Sequence, residues 1–223
     1  MYLIKTPFWL RAIYPQCIWR KSVNEKVIYI SFDDGPHPCA TPFVLEQLKK
    51  FNAKATFFCI GKNVLSYPAV YTSILNSGHA VGNHTYDHLN GWKVGNNDYI
   101  NNIKSAGNLI TSNLYRPPYG RIKRSQIKEI QSDPSLPQQI IMWDVLSADF
   151  DEKKTGVQCA NYVIKNSVPG SIIVFHDSAK AWDRLHIALP LVLHYFSRLG
   201  YRFEAISDFK VKVKKAKVET SAV

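Results

Sequence analysis

Short, continuously apolar segments alternate along this chain with segments of helical periodicity, and this alternation limits the possible folds more than any other feature. The apolar segments are predicted to be strands, at 27–32, 53–60, 79–82, 114–116, 139–145, 171–175 and 203–206. Apolar residues at helical spacing occupy the intervals between these segments. Strands that are apolar on both faces are typical of parallel sheets covered by helices. The pattern therefore predicts an α/β fold.

Polar side chains follow most of the predicted strands at the point where each strand ends. These side chains belong to Asp33, Asp34, His84, His88, Arg116, Asp149, His176 and Asp177. The carboxyl ends of all strands meet on one face of a parallel barrel, whereas an open sheet spreads them along an edge. Because the side chains come from so many strand ends, their pattern favours a small TIM-like barrel with parallel strands.

The net charge of +11 is concentrated at the two ends of the chain. Segments 1–26 and 210–223 each carry five Lys or Arg residues against one Glu. Solvated ends are the favoured interpretation, and a surface for an anionic phospholipid or glycan is the alternative. Contact of segment 2–21 with a membrane surface is possible, but its packing against the barrel is favoured. No nucleic-acid recognition motif accompanies the charge, so no nucleic-acid partner is predicted, and no obligate protein partner is inferred.

The sequence favours a cytoplasmic location. No apolar run approaches 18 residues, and no small-residue cleavage site follows the interrupted apolar runs at the N-terminus. The four cysteines show no C-x-x-C spacing, and Cys59 is predicted to be a buried small hydrophobe.

Two motifs together predict a metal site. His84 and His88 have the i, i+4 spacing that places two imidazoles on one face of a helical turn, although a polar loop is the alternative interpretation. Asp33 and Asp34 end a strand before a Gly-Pro turn, so their carboxylates are expected to face different partners. Two histidines and one carboxylate bind zinc in tetrahedral geometry and leave one position open for water. His176 opposite that site is a candidate general acid.

Five segments carry a resemblance to a known family. SFDDGP, HTYDH, RPPYG, the segment around Asp149, and VFHD occur in this order. Their order and spacing are similar to the five motifs of polysaccharide deacetylases, the NodB-like domain of carbohydrate esterase family four. The resemblance covers residues 27–209 and implies an irregular (β/α)7 barrel. Residues 1–26 are then predicted to be an N-terminal extension on or beside the barrel, and residues 210–223 a basic tail.

The resemblance also implies a role for individual residues. Asp34, His84 and His88 resemble the family's metal ligands, with Zn²⁺ favoured and Co²⁺ or Ni²⁺ as alternatives. Asp33 resembles the catalytic base, and Arg116 resembles the arginine that orients it. Tyr119 resembles the residue whose backbone N–H binds the oxyanion. His176 resembles the general acid, and Asp149 resembles the carboxylate that supports this acid.

The sequence departs from the family motifs around the expected acetyl pocket. Phe150 stands where the family usually has tryptophan, and Val174 stands where it usually has leucine. Neither change removes a catalytic group, so activity is expected with an altered pocket that also includes Pro118. Trp92 and Trp182 follow two of the motifs and are candidate sugar-stacking residues, with half-buried packing as an equal alternative. His37 is a weaker candidate for the border of the site, and His79, His186 and His194 are predicted to be structural or surface residues.

These features predict a metal-dependent hydrolase that removes N-acetyl groups from N-acetylglucosamine units of an oligosaccharide or polysaccharide. An O-acetyl glycan esterase is one alternative, because the same groups serve ester cleavage. A non-catalytic module that binds carbohydrate or a membrane surface is the other.

Overall fold

The computed structural model describes residues 2–21 and 24–206. The strands are β1 (Cys17–Ile18), β2 (Val27–Asp33), β3 (Thr56–Cys59), β4 (Ala80–Asn83), β5 (Leu114–Tyr115), β6 (Gln139–Ile141), β7 (Val145–Leu146), β8 (Ile172–His176) and β9 (Arg202–Phe203). The helices are α1 (Phe8–Ile13), α2 (Ala40–Lys50), α3 (Gly61–Ser66), α4 (Pro68–Asn76), α5 (Asn96–Gly107), α6 (Arg124–Ser132), α7 (Gly156–Asn166) and α8 (Trp182–Arg198).

The strands form one curved sheet in the order β1-β6-β5-β4-β3-β2-β8-β7, with β9 paired to β2. Every pairing between these strands is parallel. Only residues 142–144 separate β6 from β7, so one extended segment contributes a strand near each end of the sheet. The predicted α/β barrel with parallel strands is confirmed.

Alternation along the strands creates two apolar layers. In β2, Tyr29 belongs to the cluster inside the barrel, whereas Ile28 and Ile30 pack beneath the surrounding helices. Every residue of β2 is buried, which explains why the sequence shows a continuous apolar run instead of alternation. Because the inner layer is filled with side chains, the functional groups lie above it, at the carboxyl ends of the strands.

The N-terminal segment packs where the sheet is least regular. Strand β1 pairs with β6, and Lys5 forms an antiparallel bridge with Val145 of β7. The carboxylate of Asp144 is fully buried and accepts hydrogen bonds from Lys5 Nζ at 2.8 Å and from Arg11 Nη2 at 2.7 Å. These contacts fasten residues 2–21 to the segment that joins β6 to β7.

The structure differs from the sequence prediction in several elements. The predicted strand 139–145 is split into β6 and β7, because the segment changes its partner strand. Met142 donates its backbone N–H to Ile18 of β1, whereas Asp144 donates to Ile172 of β8. Elements α1, β1 and α3 were not predicted. Helix α2 begins at Ala40, directly after Cys39, and Thr41 lies inside its first turn.

The division into segments 1–26, 27–209 and 210–223 stays a prediction. Residues 207–223, which include the predicted basic tail, lie outside the described residues. Cys59 is fully buried, as predicted. Among the described helices, none combines the length and hydropathy needed to cross a bilayer.

Candidate active site

The register of the central strands brings the candidate residues to one level. Asp33, the last residue of β2, is the direct neighbour of His176, the last residue of β8. Adjacent strands are about 4.8 Å apart, so the candidate base and the candidate acid project from neighbouring positions. Asn83 at the end of β4 faces Tyr115 at the end of β5, which places His84 and Arg116 next to each other on the same face.

Asp34, His84 and His88 form a cluster that could hold a metal ion. One ligand atom from each residue lies within 4.8 Å of the other two. Asp34 Oδ1 is 3.1 Å from His88 Nε2 and 3.7 Å from His84 Nε2. The two imidazoles thus converge on one carboxylate oxygen, which fits a site with two nitrogen ligands and one oxygen ligand.

The backbone of this cluster is irregular, so the predicted helical turn at His84–His88 is wrong. Thr85 and His88 have φ of 64° and 59°, and Asp34 has φ of 77°. Non-glycine residues rarely adopt this left-handed region, and such strain is concentrated at functional sites. The loop brings the two histidines together by this conformation instead of by helical spacing.

The orientation of His84 is fixed by its second ring nitrogen. His84 Nδ1 lies 2.8 Å from the carbonyl oxygen of Arg116, and a carbonyl can only accept, so Nδ1 donates and Nε2 keeps its lone pair. Burial lowers the pKa of His84 to about 4, which keeps the ring neutral at pH 7. Burial would raise the pKa of Asp34, but a hydrogen bond from His88 and the charges of nearby histidines hold it below its ordinary value. Both groups are therefore in the protonation state of metal ligands.

Asp33 forms a buried ion pair with Arg116. Arg116 Nη1 is 2.6 Å from Asp33 Oδ1 and donates to Ser31 Oγ at 2.8 Å. The guanidinium also donates to the carbonyl oxygens of Ile141 and Met142, at 3.1 Å each, so it is held on several sides. Arg116 is completely buried. The pair fixes the carboxylate of Asp33 in one orientation.

His176 is held by Asp149 through two hydrogen bonds. Asp149 Oδ1 lies 2.7 Å from His176 Nδ1, and Asp149 Oδ2 accepts from the His176 backbone N–H at 2.8 Å. Ser147 Oγ also donates to Asp149 Oδ1, at 2.9 Å. Burial disfavours the imidazolium, but the charge and hydrogen bond of Asp149, followed by the charges of Asp34 and Asp33, outweigh it and raise the pKa of His176 to about 9. His176 is therefore protonated at neutral pH, with Nε2 as the nitrogen left for a substrate.

Asp177 anchors the turn that follows the two aspartates. Its buried carboxylate accepts from the Gly35 backbone N–H at 3.1 Å and from Thr41 Oγ1 at 2.5 Å. A Cβ atom on Gly35 would lie 2.2 Å from Asp177 Oδ2, so only glycine permits this approach. Burial raises the pKa of Asp177 to about 8, and the charges of Asp34 and Asp33 add to this increase.

Tyr119 borders the metal-ligand cluster. Its φ is 60°, the residue is 60% exposed, and its ring centroid lies 4.6 Å from that of His88. Buried Pro118 precedes it in a short 3-10 turn. The next residue, Gly120, has no room for a Cβ, which would lie 2.6 Å from the ring of Trp143. The turn is thus held against the barrel where it passes the cluster.

Phe150 and Val174, which differ from the family motifs, occupy different places. The Phe150 ring meets His176 edge to face at 5.3 Å, and Tyr2 packs on Phe150 in the same manner at 5.1 Å. Val174 is 1% exposed and lies in β8 two residues before His176. Phe150 therefore forms a wall beside the acid, whereas Val174 lies below the acid inside the barrel.

The two tryptophans also differ in their surroundings. Trp92 is 56% exposed, its Nε1 donates to the Ile122 carbonyl at 3.2 Å, and the Arg121 guanidinium lies over its ring at 5.2 Å from the centroid, so the ring is held in place. Trp182 is partly buried between Phe43 and His186, at ring-centroid distances of 5.3 and 5.4 Å. Its contacts match the packing interpretation.

The other histidines have local structural contacts or lie at the surface. His37 Nδ1 accepts from the backbone N–H groups of Cys39 and Ala40 at the start of α2. His79 accepts from Ala55, and His186 Nδ1 lies 2.8 Å from the Trp182 carbonyl. His194 is exposed on α8.

Sequence reasoning missed four residues that hold the site together: Ser31, Thr41, Ser147 and Tyr2. The contact between Ser147 and Asp149 could have been predicted from the sequence, because the two residues stand two positions apart within one motif. Ser31 lies inside an otherwise apolar strand, and a lone hydroxyl there is also a signal of a buried polar contact. The contacts of Thr41 and Tyr2 join parts of the chain more than 130 residues apart. No local pattern contains them.

Comparisons with known proteins place the chain among carbohydrate deacetylases. The family profile described as polysaccharide deacetylase matches residues 20–134. A peptidoglycan-N-acetylglucosamine deacetylase of Bacillus cereus is 33% identical over 85% of this chain and 91% of its own length. A chitooligosaccharide deacetylase of Azorhizobium caulinodans is 34% identical over 74% of this chain and 82% of its own length. Other curated relatives are longer, and the chain spans 57% and 40% of two of them.

A solved structure supports the same relationship. The Bc1960 peptidoglycan N-acetylglucosamine deacetylase, crystallised with a naphthalenyl N-hydroxybenzamide, superimposes with a TM-score of 0.79 at 32% sequence identity. The superposition covers 90% of this chain and 95% of that protein.

Proposed function

The chain belongs to the polysaccharide deacetylase family, and we propose that it hydrolyses the N-acetyl groups of N-acetylglucosamine units in a glycan. One observation carries the proposal. A buried carboxylate–arginine pair and a protonated histidine project from adjacent register positions, Asp33 and His176, beside the cluster of Asp34, His84 and His88. Amide hydrolysis needs a base for the attacking water and an acid for the departing nitrogen, and these two groups supply both.

We assign the metal site to Asp34, His84 and His88. The convergence of both imidazole Nε2 atoms on Asp34 Oδ1 fits Zn²⁺, and Co²⁺ or Ni²⁺ would suit the same ligands. A divalent metal bound there would polarise the acetyl carbonyl and make a water molecule more acidic.

The protein's own residues perform the proton transfers in this proposal. Asp33, oriented by Arg116, accepts a proton from the attacking water. The backbone N–H of Tyr119 donates to the oxyanion that develops on the acetyl oxygen. His176 then gives its Nε2 proton to the departing nitrogen, while Asp149 stabilises the imidazolium before the transfer. The products are acetate and a free amino sugar.

Substrate contacts are assigned to the rim and floor of the site. Phe150 is proposed as a wall of the acetyl pocket, with Val174 and Pro118 beneath it. Trp92 is proposed as a stacking platform for a sugar ring, because its exposed ring is held by a hydrogen bond. The packing of Trp182 against Phe43 makes it the weaker of the two tryptophans for this role.

The experiment is a comparison of substrates with zinc-loaded protein. Acetate release is measured from N-acetylated peptidoglycan fragments, chito-oligosaccharides of increasing length and O-acetylated xylan. The proposal predicts release from at least one N-acetylated glycan, and the length profile identifies the polymer. Release from O-acetylated xylan alone would establish the esterase alternative, and binding without release from any substrate would establish a non-catalytic module.

A further inference from the structure

Helix α1 presents an apolar face to solvent. Phe8 is 83% exposed, Trp9 51% and Ile13 42%. Positions i, i+1, i+4 and i+5 of a helix share one side, so these residues and exposed Ala12 form one continuous face. Leu10 lies on the opposite side and packs against the core. All six residues of α1 are described, and none is buried.

This face belongs to a helix that is anchored to the barrel. Arg11 Nη2 donates to the Thr6 carbonyl at 2.9 Å and pairs with buried Asp144 at 2.7 Å. Thr6 Oγ1 donates to the Trp143 carbonyl at 2.7 Å. The fastened helix therefore holds Phe8 and Trp9 in water. Large exposed apolar patches on soluble domains mark interaction sites.

The charges around α1 indicate what the face binds. Residues 1–24 contain no Asp or Glu, but they contain four Lys or Arg residues. The Arg124 guanidinium lies 5.8 Å from the ring of Tyr14, directly after α1. Lys5 and Arg11 share the single buried carboxylate of Asp144, and Arg124 lies beside Tyr14, so these three cations and one carboxylate carry a net charge of +2. The surroundings of the apolar face stay positive.

We propose that the exposed face of α1 is a docking surface for an anionic phospholipid bilayer. Aromatic side chains such as Trp9 and Phe8 insert at the level of the headgroups, and basic side chains around them attract anionic lipids. An anionic bilayer surface suits both the exposed apolar face and the positive charge around it. A protein partner would gain from that charge only if its own surface were acidic. The helix lies on the membrane in this arrangement and does not cross it.

Vesicle sedimentation of the full chain tests the proposal. The protein is mixed with vesicles of phosphatidylcholine alone or with added phosphatidylglycerol, at low and high salt. The expected result is binding that needs phosphatidylglycerol and weakens with salt. The double variant Phe8→Ser, Trp9→Ser is expected to bind vesicles at least about tenfold more weakly than the wild type, because withdrawing one large aromatic side chain from water is worth at least that factor.

A matched control separates this face from general surface hydrophobicity. The double variant Leu75→Ser, Leu191→Ser removes two leucines that are 44% and 43% exposed on other helices, and it is expected to bind vesicles like the wild type. Circular dichroism and acetate release from a soluble glycan check that both variants fold. Equal vesicle binding by the α1 variant and the wild type would overturn the proposal. A second result would also overturn it: the wild type self-associates but binds no vesicles, and the α1 variant loses the self-association. That result would identify the face as an interface between two copies of the chain.

Discussion

Replacing Asp149 by asparagine isolates the electrostatic support of the candidate acid. The pKa of His176 is raised from 6.5 to about 9 although burial opposes the charged form, and Asp149 is the largest of the carboxylates that raise it, ahead of Asp34 and Asp33. An asparagine removes that charge. Its side chain also has only one oxygen, whereas the two oxygens of Asp149 now accept from the ring and from the backbone N–H of His176. The pKa of His176 should therefore fall from about 9 toward 6.5.

The consequence is largest under alkaline conditions. At pH 8, a histidine with a pKa of 9 is almost fully protonated, whereas one with a pKa of 6.5 is about 3% protonated. The Asp149→Asn variant is therefore expected to lose up to about 30-fold in kcat at pH 8. Its alkaline limb should move from about pH 9 toward pH 6.5.

The same shift affects stability with a defined sign. Because folding raises the pKa of His176, its protonation stabilises the folded state fully below pH 6.5, and this contribution is lost as pH rises through about 9. The stability difference between wild type and variant should be greatest in acid, with a pH-dependent part of about 3 kcal/mol.

The assay is acetate release as a function of pH, with urea unfolding at the two ends of the range. Asp151→Asn is the matched control, because Asp151 is an exposed carboxylate two residues away that bonds to Tyr2 and not to His176. Its profile should keep the wild-type alkaline limb. An unchanged alkaline limb in folded Asp149→Asn protein would refute the role of Asp149 and the assignment of His176 as the acid.

Three further substitutions test the supporting structure. Arg116→Met leaves the buried carboxylate of Asp33 unpaired, and urea unfolding should show a loss of about 3–5 kcal/mol together with loss of activity; stability within 1 kcal/mol of the wild type would contradict this. Gly35→Ala places a Cβ against Asp177, so unfolding free energy should fall by about 1–3 kcal/mol and zinc affinity measured by calorimetry should fall with it; unchanged affinity would show that the turn does not position Asp34. Asp144→Asn weakens the attachment of the N-terminal segment and should cost about 2 kcal/mol by the same unfolding measurement, whereas an unchanged midpoint would show that this ion pair contributes nothing.

The sequence allowed the barrel and the list of candidate residues to be predicted because both depend on short-range patterns. Continuous apolar strands report burial on both faces, and polar residues directly after them report the functional edge. Asp33 and His176 are such residues, and their register positions turn out to be adjacent.

The features that were missed depend on backbone conformation or on distant contacts. The spacing of His84 and His88 fits a helical turn as well as a strained loop, and only the positive φ of Thr85 and His88 separates the two. Strand β1 has two residues, and its pairing with β6 joins positions more than 120 residues apart. A pattern so short carries no signal of its own.

Acetate release by zinc-loaded protein with and without the Asp33 carboxylate tests the central claim most directly. The wild type and Asp33→Asn are assayed on the same N-acetylated glycan, with a chelated wild-type sample alongside. The account predicts release by the zinc-loaded wild type, loss of release in the chelated sample, and loss in Asp33→Asn protein that still binds zinc. Release by Asp33→Asn at the wild-type rate would contradict the assignment of the base and the mechanism built on it.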